Sequence, residues 1–121
     1  RDRIIRQTAE LDGRGVTVVL EQEPASGGIA QCVALIRQLA GFAAFAEPTS
    51  KAKELRADPV ASQAQVGNVR VVSGAWTKAF IDELCAFPGA HDDQVDAASG
   101  AFGWLSKPAV RRAAFGAFSR E

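Results

Sequence analysis

A chain of 121 residues is one domain's worth, and its 14 basic residues are balanced by 14 acidic ones. Neutrality excludes recognition of nucleic acid by bulk charge, so any such contact must be local. No run reaches the ~18 apolar residues that a membrane span requires, and no charged-then-apolar leader opens the chain. The first residue is Arg1, which points to a fragment cut from a longer polypeptide. Cys32 and Cys85 lie far apart without a C-x-x-C spacing and read as free thiols of a reducing cytoplasm.

The predicted elements alternate between helix and strand. RDRIIRQTAELDG carries Ile4, Ile5, Thr8 and Leu11 at helical spacing, and Gly13 closes that first helix. VTVVL, residues 16 to 20, is continuously apolar, as a strand of a parallel sheet covered on both faces should be, and it runs into Glu21. GGIAQCVALIRQLAG sets Ile29, Val33, Ile36 and Leu39 along a helical face, and FAAFA follows as a second strand. Strand, helix and strand make a right-handed βαβ unit whose loops gather at the carboxyl ends of the strands, where Glu21 stands.

Beyond this unit, KAKELRA and ADPVASQAQVG predict a broken helix that restarts at Asp58 as N-cap and Pro59 as first helical residue. NVRVV, residues 68 to 72, predicts a strand. WTKAFIDELCAF places Trp76, Phe80 and Leu84 on one stripe that should pack on the sheet, and Pro88 ends it. DDQVDAASGAFGWL puts Val95, Ala98, Phe102 and Leu105 on one face, so Asp92, Asp93 and Asp96 stand at the start of the last core helix. The tail KPAVRRAAFGAFSRE, residues 107 to 121, has Val110, Ala114 and Phe118 at helical spacing and packs either on the domain at 1 to 106 or on a partner.

Three aspartates within five positions admit a structural reading. An aspartate is a favoured N-cap, and the helix dipole favours negative charge there. Asp96, however, is one turn on and has nothing basic beside it in sequence. At about 100° per residue, Asp92 lies nearest the apolar stripe, with Asp96 and Asp93 pointing further away. Glu21 ends a strand where open α/β sheets place their ligands, so Asp92 and Glu21 are expected to converge. Glu23 is the rival for the strand-end role, since a two-residue shift keeps the same face. Carboxylates without a cysteine or histidine cluster suit Mg²⁺ or Mn²⁺ and hence phosphate chemistry. Lys51, Lys53, Arg56 and Arg70 could neutralise DNA phosphates or form a solvated face. His91 could position a phosphate or serve only the loop. Trp76 and Trp104 read as packing residues.

VVLEQEPASGG, KELRADPVASQAQVGNVRV and FPGAHDDQVDAASGAF, in this order, resemble the C-terminal nuclease domain of bacteriophage terminase large subunits, over residues 4 to 106. The resemblance implies an α/β ribonuclease H-like nuclease fold that lacks its first strands in this chain. It also implies a metal-dependent endonuclease that cuts concatemeric phage DNA during packaging in the bacterial cytoplasm, with two Mg²⁺ or Mn²⁺ ions in the complete domain. Glu21, Asp92 and Asp93 correspond to catalytic, metal-binding acids, and Asp96 matches as a further ligand. The family's first-strand aspartate would precede this chain, so the fragment is expected to be weak or inactive, with an exposed strand edge that favours self-association. Implied partners are double-stranded DNA, a packaging ATPase domain of the same protein, the portal and the small terminase subunit. No G-x-x-x-x-G-K-[ST] phosphate loop occurs here. The alternative is a non-enzymatic α/β interaction module whose acids only cap and solvate.

Overall fold

The computed structural model describes residues 1–49 and 52–107, which fall into two compact units. The first unit holds α1 (Asp2–Asp12), β1 (Val18–Gln22), α2 (Ser26–Gln38) and β2 (Ala44–Pro48), together with Lys107. The second holds α3 (Lys53–Gln65), α4 (Thr77–Ala86) and α5 (Asp93–Leu105). The tail beyond Lys107 lies outside the described residues, as does Lys51.

In the first unit β1 and β2 pair in parallel, and α2 makes the crossover between them, as expected of a βαβ unit. Both strands start two residues later than their apolar runs, at Val18 and Ala44. Register is set by the ladder, which pairs Val18 with Ala44 and Glu21 with Glu47. Gly13 closes α1 at φ 87°, and its N–H donates to the Ala9 carbonyl. At the entry to α2, a Cβ on Gly28 would lie 2.6 Å from the Glu23 carbonyl oxygen, so only glycine lets this turn close.

The core of this unit is Ala9, Leu20, Cys32, Leu35 and Leu39, with Ile5, Val18, Ile36 and Phe42 packed against it. Two expectations are corrected here. The face of α2 turned to the core is Cys32, Leu35 and Leu39, while Ile29 and Val33 are exposed. The helix is apolar on neighbouring faces, so spacing alone does not choose between them. In α1, Ile5 and Ala9 face inward, leaving Ile4 and Leu11 in solvent. Of the β1 residues only Leu20 is buried, so the strand is not covered on both faces among the described residues.

The second unit departs further from its expected elements. α3 runs unbroken from Lys53 through Pro59, although proline cannot donate the ladder bond there. Ala57, Val60, Ala61 and Ala64, at i, i+3, i+4 and i+7, line an apolar groove. Residues 68 to 72 form no strand, because the unit offers no strand for them to pair with among the described residues. Trp76, Phe80 and Leu84 line the same groove of about 690 Å³, with Phe102 and Leu105 of α5. The Trp76 and Phe80 rings lie 6.0 Å apart and tilted. α5 begins at Asp93, with Val95 and Ser99 buried.

Candidate metal centre at the start of the last helix

Asp92 occupies the N-cap position of α5, yet its carboxylate makes no capping bond. Glu83 of α4 does that work instead: its Oε2 accepts the Val95 N–H at 2.8 Å, and its Oε1 accepts Gln94 Nε2 at 3.4 Å. The capping role expected of the aspartates therefore belongs to a carboxylate from another helix. Asp92 and Asp96, one turn apart, are left to face the same direction.

Between them stands Lys53, the first residue of α3. Its Nζ donates to Asp92 Oδ2 at 2.9 Å and lies 3.1 Å from Asp96 Oδ2. Asp96, with nothing basic beside it in sequence, finds its cation in Lys53 of another helix. The two carboxylates are largely covered, with side-chain exposures of 18% and 15%, whereas Lys53 is 48% exposed. The hydrogen bonds to Asp92 and then Asp96 hold the Lys53 ammonium pKa well above its ordinary 10.5. Because the folded value is the raised one, the stabilisation is fully present below pH 10.5 and is lost only as pH climbs toward the folded value.

The remaining candidates divide by unit. Glu21 is exposed in β1, beside Glu47 in the register. Glu47 was not anticipated, although its signal matched that of Glu21, an acid closing an apolar run; its Oε2 accepts Lys107 Nζ at 2.6 Å. Glu23 falls past the end of β1, in the turn to α2, and so leaves Glu21 as the acid within the strand. Asp93 and His91 are exposed, Arg56 is half-buried, and Arg70 is exposed on the rim of the groove. Among the described residues no three His, Cys, Asp or Glu side chains gather closely enough to hold a metal ion, so the pair Asp92 and Asp96 is the acidic unit in hand. No described helix is long and apolar enough to cross a membrane.

Removing the Glu83 cap tests this division of labour. Glu83→Ala should cost about 0.5–2 kcal/mol, the range for a lost helix cap, read as a lower urea midpoint. Asp82→Ala, which breaks only the exposed pair with Lys78, should stay within about 0.5 kcal/mol of the parent.

One unit is a parallel βαβ element with acids in its strands, and the other is helical and presents paired aspartates at a helix start, so the chain is an α/β protein. Residues 2–102 match the model of the terminase RNaseH-like domain, and the chain belongs to that family. Its fold class is accordingly RNase H-like. No curated protein and no solved structure matches the chain.

Proposed function

We propose that the chain acts as the divalent-metal-dependent endodeoxyribonuclease domain of a phage DNA-packaging terminase, cutting concatemeric DNA in the host cytoplasm. One observation carries the reading beyond the family: Asp92 and Asp96 are relieved of capping by Glu83 and hold one cationic group between them. The donor set fits Mg²⁺ or Mn²⁺, being hard carboxylate oxygens. Bound there, such ions would activate water and neutralise charge developing on the phosphodiester, with two ions in the complete domain.

The proposed catalytic acids are Glu21, Asp92 and Asp93, with Asp96 as a further metal ligand. The shared cation favours Asp96 over Asp93 as the companion of Asp92. Arg70 and His91, both exposed, are proposed contacts to DNA phosphate, together with Lys51 and Arg56. Proposed partners are double-stranded DNA, a packaging ATPase domain of the same protein, the portal, the small terminase subunit, and a second copy of the chain. The alternative is a non-enzymatic α/β interaction module whose acids only cap and solvate, and against its capping half stands the Asp92 carboxylate, which makes no capping bond.

Plasmid cleavage by the full-length protein with Mg²⁺ or Mn²⁺, with and without chelator, tests the reading. Cutting should require the metal and stop with chelator. Cutting that survives chelation, or its absence with either metal, would overturn the proposal.

A further inference from the structure

We infer that Lys53 is a built-in counter-ion occupying the cation position between Asp92 and Asp96, so that a divalent metal binds this pair only as the ammonium leaves. The inference rests on the metal-dependent reading above. It concerns a residue of this chain that competes with the metal instead of holding it.

Three observations carry it. The ammonium meets one carboxylate oxygen of each aspartate, at 2.9 and 3.1 Å. A metal ion about 2.1 Å from either oxygen would stand within a few ångströms of that ammonium, and two cations so close repel one another. The second is access: the aspartates are largely covered, whereas the Lys53 side chain is half-exposed and so reaches solvent more readily than they do. The third is a local conflict. Lys53 opens α3, where the helix dipole disfavours a positive charge, and no side chain caps that helix. The first turn of a helix is an unfavourable place for a lysine, and such breaches of local preference collect at functional sites. The compensation here is the pair of acids from α5.

The arrangement explains how two carboxylates one turn apart coexist without a metal. It also makes metal affinity a difference: the pair must exchange one cation for another. Lys53 therefore lowers the affinity of the site and protects the helix start when metal is scarce.

The test is Mn²⁺ binding to the full chain without DNA, followed by the paramagnetic resonance signal of free Mn²⁺ at fixed ionic strength. Lys53→Gln should bind Mn²⁺ roughly threefold to thirtyfold more tightly than the parent, the gain expected from removing two partly exposed ion pairs. Lys53→Arg keeps the positive charge and should stay within about twofold of the parent. Adding Asp92→Asn and Asp96→Asn to Lys53→Gln should abolish the gain. Equal Mn²⁺ affinity in the parent and Lys53→Gln would overturn the inference and leave the metal reading standing. No binding to either at millimolar Mn²⁺ would overturn both. The unmodified chain gives a second measurement that does not depend on how the variants fold. The ¹⁵Nζ resonance of Lys53 should move to the position of a solvated lysine as Mg²⁺ saturates the site. An ammonium still held by the aspartates at saturation would overturn the inference.

Discussion

In the full-length protein, Asp92→Asn should lower metal-dependent DNA cleavage about 100-fold or more. The effect is large because the substitution removes a full negative charge where the metal's charge must be balanced, and pre-arranged electrostatic stabilisation is usually the largest catalytic contribution. Folding should survive. Asparagine is itself a favoured N-cap, Glu83 still holds the Val95 N–H, and Lys53 keeps Asp96 as a partner. Glu21→Gln should lower cleavage similarly, and because Glu21 is exposed, the melting midpoint should barely move. The geometry ranks the neighbours as well: Asp96→Asn should weaken Mn²⁺ binding more than Asp93→Asn, since Asp96 shares the cation and Asp93 points into solvent. Parental cutting by both Asp92→Asn and Glu21→Gln, measured beside their melting midpoints, would remove these residues from the proposed site.

The parts of this fold that the sequence shows are those decided within a few residues. Gly13 closes α1, the apolar runs and the helix between them make a parallel pair, and α5 starts at the aspartates, because each depends on local backbone preference or periodicity. What is hidden depends on partners distant in sequence. The Val69, Val71 and Val72 run has the composition of a strand, but a strand needs a neighbour to pair with. Pro59 signals a helix break, but α3 runs through it unbroken, and its face Ala57, Val60, Ala61 and Ala64 turns to the groove.

The candidate site divides in the same way. Spacing shows that Asp92 and Asp96 share a helix face, yet capping is a competition for one amide, and its winner, Glu83, lies 12 residues before Val95. Lys53 reads as one charge among several on a polar helix, and only the fold carries it 39 residues to the aspartates. The bare sequence therefore gives the acids and leaves out both the group that frees them and the group that neutralises them.

Leu39→Ala should be the most destabilising single substitution in the first unit, at about 2–5 kcal/mol. Leu39 is 1% exposed, and it is the only side chain among the described residues buried to this degree. Its backbone also ends α2, where its N–H donates to the Leu35 and Ile36 carbonyls. Truncation removes the apolar contacts of the buried side chain and leaves a cavity beside Leu35 that the parallel ladder of β1 and β2 keeps from collapsing. Small domains have only about 5–15 kcal/mol of stability, so this one change consumes a large part of it. Leu55→Ala is the matched control, because Leu55 is 58% exposed and should cost about 0.5 kcal/mol or less. Urea unfolding followed by far-ultraviolet circular dichroism reads the helices of both units, whereas Trp76 and Trp104 fluorescence reads only the second. The dichroism midpoint should therefore fall in Leu39→Ala. A midpoint within about 0.5 kcal/mol of the parent would mean that the core around Leu39 contributes little, and that the βαβ unit draws its stability from elsewhere.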